Sequence, residues 1–305
     1  MYHYVRDTPA GTRGVNALSL RDFDAQLDWL AAAWPPVDYG EFASSIADRR
    51  PLVRDASLLT FDDGFLDHRD AVWSRLVARG CTGVFFITGS ALDDPPRLLN
   101  VHKVHLLIEA LGGARFAEAV SEALKEMPSA GGLPRRGEVY RYDTAPDEAA
   151  IKHLLNYELP YAAADEVLTR LFTRHVGDEI DAARGLYLSA SDVGEMSRSG
   201  MTFGFHTERH RVMSRLAGRD LDDEVARGVA RIRALTGQAS VPFCYPYGHV
   251  HTYTAATVAA LFAAGYAMAF TTTRRIADPV SDGPFEIPRV DTRDLPPFTS
   301  GIFHA

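Results

Sequence analysis

Seven short apolar runs punctuate the chain: MYHYV (1–5), ASLLTF (56–61), TGVFFIT (82–88), MTFGFH (201–206), VPFCYPYG (241–248), YAMAFTTT (266–273) and FEIPRVD (285–291). Most are continuous rather than alternating. An alternating run keeps one face wet, whereas a continuous run of this length fits a strand buried on both faces, as in a parallel sheet or barrel. Helical patterns fall between the runs. Ser19 can cap LRDFDAQLDWLAAAW, where Leu20, Phe23, Leu27 and Leu30 make one apolar stripe. HRDAVWSRLVARG stops at a glycine. DLDDEVARGVARIRALTGQ places acids early, bases later and Gly237 at its end, in keeping with the helix dipole. TAATVAALFAAGY follows the same grammar. Such strand–helix alternation predicts an α/β fold.

One stretch breaks the alternation. Residues 92–188 hold helical patterns, among them VHKVHLLIEALGG and DEVLTRLFTRHVG, around a polar Gly/Pro-rich piece, PSAGGLPRRGE. The stretch reads as a helical insertion within a single domain spanning 1–305. With 305 residues, 46% of them hydrophobic, the chain can bury a sizeable core. A net charge of -8 without a Lys/Arg stripe speaks against a nucleic-acid partner. No apolar leader opens the sequence and no run approaches a membrane span, so a soluble, cytoplasmic protein without an integral membrane segment is expected. Cys81 and Cys244 sit in apolar runs and read as reduced, buried thiols rather than a disulfide. The apolar helices of the insertion can form a lid or a homodimer face.

Two of the runs end in chemistry. LLTFDDGF stops abruptly in Asp62, Asp63 and Gly64. Adjacent carboxylates after a buried strand are costly unless a cation holds them, and the C-terminal ends of strands are where α/β barrels build their sites. The alternative is a helix cap, with Asp63 or Asp67 opening the next helix. FGFHTERH also runs from buried strand into polar residues. His206 and His210 are four apart, so one turn can bring both rings to one side. Two imidazoles and one carboxylate make a zinc-like ligand set with an open fourth position. A solvated loop with incidental histidines is the competing reading.

TFDDG followed by HTERH resembles the first two motifs of the NodB-homology polysaccharide deacetylases, carbohydrate esterase family 4, and YPYG at 245–248 is similar to the third. The resemblance covers roughly 1–91 and 189–305. It implies a distorted (β/α)7 barrel in which Asp62 is the general base and Asp63, His206 and His210 hold one divalent metal, usually zinc, with cobalt or nickel as substitutes. It further implies that Thr207 braces the histidine turn and that the Tyr247 backbone N–H helps hold the oxyanion. Each role is chemically sensible. An open position on the metal makes a water more acidic and polarises a carbonyl, and Asp62, beside the metal, can take that water's proton.

Two departures from the family pattern matter. Where many members carry an Arg paired with the catalytic Asp, this chain has Cys244. Arg289, in IPRVD, can supply the cation, or it can form a structural salt bridge with Asp291 or Glu286. The family's usual C-terminal catalytic His has no counterpart in context, since His304 stands in TSGIFHA. MYHYV offers a replacement. It is similar to the YH-containing first strand of the circularly permuted poly-N-acetylglucosamine deacetylases, in which that strand carries the general acid. In a closed barrel the first and last strands are neighbours, so the resemblance implies a permuted barrel with His3 as the acid that protonates the leaving amine. An imidazole, with an ordinary pKa of ~6.5, suits proton exchange near neutrality.

The remaining candidates are weaker. His102 and His105 can line a cleft or form a second metal site, but a core or solvated helix face explains them as well. His249 and His251 follow YPYG and can touch substrate. Tyr2, Tyr4, Tyr245 and Tyr247 can stack on sugar rings or simply pack, and Trp29 and Trp34 read as core. The expected activity is metal-dependent hydrolysis of an N-acetyl or other short N-acyl group from an amino sugar. A nucleotide- or lipid-linked sugar or a small glycoside, in surface polysaccharide or secondary metabolite biosynthesis, suits a cytoplasmic enzyme. The alternatives are a metal-dependent hydrolase of non-sugar C–N amide bonds and a non-catalytic sugar-binding barrel.

Overall fold

The computed structural model describes residues 1–10, 12, 14–126 and 146–299. The piece at 128–138 and His304 lie outside the described residues. The centre is a parallel sheet of five strands in sequence order: β1 (Thr60–Phe61), β2 (Val84–Ile87), β3 (Thr202–Phe205), β4 (Pro242–Cys244) and β5 (Met268–Phe270). Each comes from one of the continuous apolar runs. Every residue of the five is buried except Thr202, which is half-buried. Register is fixed by pairs such as Phe85↔Phe203 and Phe243↔Ala269.

The first and last apolar runs contribute bridges at the two edges. Tyr2 bridges Phe61 and Ile287 bridges Phe270, both in parallel. These two runs also meet each other: the Met1 nitrogen donates to the Val290 carbonyl at 2.6 Å, and the Thr292 N–H donates to the Met1 carbonyl at 3.3 Å. Both edges of the sheet are thereby covered, which removes unpaired strand edges.

Helices follow as the capping signals indicate. They are α1 (Leu20–Ala33), α2 (Tyr39–Asp48), α3 (Ser74–Ala78), α4 (Asn100–Leu111), α5 (Gly113–Lys125), α6 (Pro146–His153), α7 (Tyr161–His175), α8 (Glu179–Leu186), α9 (Ala190–Arg198), α10 (Arg219–Val225), α11 (Gly228–Thr236) and α12 (Ala255–Ala264). Ser19 caps α1 by accepting the Asp22 N–H, and the helix buries Phe23, Leu27 and Leu30 on its inner face. Thr254 and Thr257 form a capping box on α12, and Gly265 ends it in the left-handed region.

The stretch expected as one helix after Gly218 is two, α10 and α11. The Tyr266 hydroxyl donates to the Val225 carbonyl at 2.7 Å and takes it out of the helical ladder. Gly228 then opens α11 directly against Phe205 and Tyr266, where a Cβ would lie 2.1 Å from the Tyr266 hydroxyl.

From α4 to α8 the chain is helical and contributes no strand to the sheet among the described residues. These helices share a hydrophobic cluster, centred on Leu107, Phe116, Val120, Leu168 and Phe172, that also takes in Tyr4 and Phe65 from the sheet side. An antiparallel bridge from Phe65 to Tyr187 ties the end of the helical stretch beside the Asp-Asp turn. No helix among the described residues is long and apolar enough to cross a membrane.

Candidate active site

Both polar breaks fall at C-terminal strand ends, those of β1 and β3, which flank β2. The Asp62 N–H donates to the Tyr2 carbonyl at 2.9 Å, so the first run of the chain holds the turn in place. Asp63 then adopts a φ of 74°. Left-handed backbone costs a non-glycine residue of order 1–3 kcal/mol and persists where surrounding structure enforces it. Five non-glycine residues among those described have positive φ. Four of them, Asp63, Thr207, His210 and Tyr247, stand around this one site. The strain is therefore concentrated where the candidate chemistry lies.

The two histidines converge, but not on a helical turn. The HTERH segment is a loop with left-handed residues at Thr207 and His210, and the Thr207 hydroxyl accepts the His210 N–H at 2.9 Å. The His206 Nε2 lies 3.6 Å from Asp63 Oδ1 and the His210 Nε2 3.5 Å from the same oxygen. Ligands at zinc-type bond lengths on a tetrahedron stand about 3.4 Å apart. Asp63 Oδ1 is buried and has no hydrogen-bond partner. The His206 Nδ1 donates to the Cys244 carbonyl at 2.7 Å, which leaves a lone pair on Nε2. Burial pushes His206 down and His210 to about 3, so both rings are neutral, the form that ligates. An orphaned carboxylate oxygen facing the Nε2 atoms of two neutral imidazoles fits a divalent metal.

Asp62 is held differently. Arg289 grips it with two parallel hydrogen bonds, Nη1 to Oδ1 and Nη2 to Oδ2, each 2.8 Å, and both residues are buried. Burial alone would raise the Asp62 carboxyl; the guanidinium overrides it and holds the group well below the usual carboxylate range. The partners considered for Arg289 from sequence are engaged elsewhere. An Asp291 oxygen accepts the Arg293 N–H at 2.8 Å, and a Glu286 oxygen accepts the Tyr253 hydroxyl at 3.1 Å. Cys244 packs against the pair, its Sγ 3.0 Å from Arg289 Nη2 and 3.5 Å from Asp62 Oδ2. Burial pushes this thiol well above its ordinary value, so it stays protonated.

His3 reaches the same carboxylate from the first run. Its Nε2 is 3.8 Å from Asp62 Oδ2, and its side chain is 42% exposed, open to the cavity mouth. The buried His68 ring fixes the strand by bonding the His3 carbonyl at 2.9 Å. Asp67, considered as a helix cap, instead accepts the Val5 N–H at 3.1 Å and binds Arg6. FLDH therefore serves to pin the strand that carries His3.

These groups line a cavity of about 400 Å³, within the range of small-molecule sites. Tyr247 lines it too, its ring 5.0 Å from His210 and its carbonyl held by the Thr272 hydroxyl at 2.7 Å. His105, Lys152 and Asn156 enter from the helical stretch, and His249 from the loop after YPYG. Tyr2 and Tyr4 are packing residues, stacked on Phe61 and Phe65. Tyr245 is buried against Tyr253, with only an edge on the cavity. Trp29 and Trp34 are half-buried against each other rather than core, and Cys81 is half-buried, Cys244 fully so. Sequence reasoning gave no weight to Tyr187 and left His102 open. The structure places His102 3.3 Å from Asp63.

Residues 167–269 match the family model described as polysaccharide deacetylase. That part of the chain is similar to the polysaccharide deacetylases. The matched segment contains His206, His210 and YPYG, while Asp62 and Asp63 precede it. A search of the curated proteins found no match. Among solved structures, the fold is similar to that of the Streptococcus pyogenes deacetylase PplD in complex with acetate, at 14% identity and TM-score 0.61, covering 99% of this chain and 93% of that one. It is similar also to IcaB from Ammonifex degensii, at 22% identity and TM-score 0.55, covering 96% and 90%. A de-N-acetylase from Aggregatibacter actinomycetemcomitans gives 14% and 0.55, covering 95% and 93%. At these identities the likeness establishes the fold. The segments that resemble deacetylase motifs stand in this chain at strand ends, with Arg289 and Cys244 packed against Asp62.

Proposed function

We propose that the chain is a metal-dependent N-deacetylase that removes an N-acetyl or similar short acyl group from an amino sugar. The observation that carries this is the pairing of an orphaned Asp63 oxygen and two imidazoles with a second, separately held carboxylate, Asp62, in one cavity. A metal at Asp63, His206 and His210 would polarise the acyl carbonyl and acidify a water. Asp62, kept ionised by Arg289, is always in the proton-accepting form and takes the proton as the water oxygen bonds to the amide carbon. The Tyr247 N–H supports the negative charge that collects on the carbonyl oxygen. When the C–N bond breaks, His3 gives its proton to the departing nitrogen, leaving acetate and a free amino sugar.

The hydrogen bonds that join the first and last runs at Met1, with their bridges to β1 and β5, support reading the five strands and these two runs as seven staves of a closed, permuted barrel, with 92–188 as a helical insertion. The insertion would line the acyl-sugar cavity through Val101, Val104, His105, Lys152 and Asn156.

The test is zinc content by elemental analysis, wild type beside His210→Ala, with acetate release from N-acetylated amino sugars assayed on the same samples. About one zinc per chain, lost together with acetate release in the variant, is expected; a protein that takes up no divalent metal would sink the reading. His3→Ala is expected to fold, keep its metal and lose about 10²-fold in turnover, since solvent can partly replace an acid at an open mouth. Normal turnover in that variant would transfer the acid role to another cavity residue, His249 first.

A further inference from the structure

His102 approaches Asp63 from outside the sheet, on α4. Its ring is fully buried, packed 4.8 Å from the Phe65 ring and 6.2 Å from Tyr4. Its Nδ1 lies 2.5 Å from the Tyr187 hydroxyl, and that hydroxyl also accepts the Leu99 N–H at 3.2 Å. A phenol carries a single proton, and His102 Nδ1 is the acceptor the structure offers it. With Nδ1 accepting, the ring proton sits on Nε2. That nitrogen is buried, makes no hydrogen bond of standard geometry, and its closest acceptor is Asp63 Oδ2 at 3.3 Å. The opposite tautomer would aim a lone pair at a carboxylate oxygen and strand the phenol proton. The direction of the chain from Leu99 through Tyr187 and His102 to Asp63 is therefore set.

Asp63 is thus addressed on both oxygens by different groups. Oδ2 faces an N–H donor, and Oδ1 faces His206 and His210 with no other partner. We infer that His102, oriented by Tyr187, is a positioning residue that fixes Asp63 with Oδ1 turned toward the metal. The inference rests on the reading of Asp63, His206 and His210 as metal ligands. Both residues belong to the helical stretch between β2 and β3. That stretch then does more than roof the cavity: it completes the metal site, and a trimmed version lacking it would bind metal poorly. A carboxylate free to rotate about its terminal bond must be ordered on binding, and an outer-shell donor supplies that order beforehand.

The experiment is zinc affinity by competition with a chromogenic chelator, for wild type, His102→Leu, His102→Gln and Tyr187→Phe. Thermal unfolding of each metal-free protein is recorded alongside. His102→Leu is expected to weaken zinc about 10- to 100-fold. Tyr187→Phe, which removes one hydroxyl, should weaken it in the same direction by less. His102→Gln, whose amide N–H can stand where Nε2 stood, should recover most of the loss. A role in packing alone would lower the melting temperature of the metal-free variants without moving zinc affinity. Wild-type affinity in folded His102→Leu or Tyr187→Phe overturns the inference and leaves the deacetylase reading intact. Should His102→Leu not fold, Tyr187→Phe and His102→Gln decide between the two. A wild-type protein that takes up no zinc overturns both.

Discussion

Asp62→Asn is expected to keep the zinc content of wild type and lose about 10²- to 10⁴-fold in acetate release, the range for removing a positioned general base. The structure separates the two carboxylates cleanly enough for this split. Asp63 faces both imidazoles, whereas Asp62 is turned into the Arg289 fork. Asparagine keeps an oxygen for one guanidinium N–H and nearly the same volume, but it leaves the buried Arg289 charge without its counter-ion, so thermal unfolding of the variant is recorded beside its turnover. What it loses is the anionic lone pair that accepts a proton. Acetate release and metal content measured on one preparation decide the point: loss of both together would make Asp62 a ligand, and loss of neither would remove it from the chemistry. The low proton affinity of Asp62 is consistent with this role only if the attacking water is itself acidified. The mechanism therefore needs the Asp63 site as much as it needs Asp62.

How much of this was legible in the sequence follows from how local each signal is. A buried strand that stops in Asp-Asp or in His is visible in the string, because no core tolerates such groups by accident, and Asp62, Asp63, His206 and His210 all came from that one argument. The convergence of the histidines was legible but its geometry was not. An i, i+4 spacing suggests a helical turn, while the chain uses left-handed Thr207 and His210 in a loop. His102 could not be singled out, because a histidine on an amphipathic helix looks the same whether it faces other helices or, as here, a carboxylate on β1's turn. Its partner Tyr187 lies 85 residues away, and no local pattern joins them. Likewise, the division of the stretch after Gly218 into α10 and α11 depends on a hydroxyl from Tyr266, outside both helices. Arg289 is the intermediate case. The missing motif arginine at Cys244 predicted that some cation must arrive, and only the fold decided between Asp62 and the nearer acids.

That choice has a large stability consequence. Arg289→Met is expected to destabilise the protein by about 3–5 kcal/mol at pH 7, the cost of leaving one member of a buried ion pair without its partner. The methionine can fill the guanidinium's stem but not its charge, so Asp62 would be buried beside Cys244 without the cation that grips it. The pH dependence has a defined sign. In wild type the folded value of Asp62 is below the ordinary carboxylate value, so its contribution is present above about pH 4 and is lost as pH falls through the folded value. In the variant, burial without the cation pushes the carboxyl up instead, so folding is penalised while the group must remain charged and the penalty eases on acidification. Urea unfolding of the metal-free proteins between pH 7 and pH 3 should then show a gap that is widest at neutral pH and narrows throughout acidification, above about pH 4 because the variant's penalty eases and below it because the wild type loses its contribution. Cys244→Arg on this background offers the complementary outcome. It places a guanidinium on β4, beside Asp62, and recovery of the neutral-pH gap would show that the cation's charge matters here and not the strand that delivers it. A gap that stays constant with pH would mean that Arg289 acts by packing over Phe86, 5.8 Å from its guanidinium, rather than by holding Asp62 ionised.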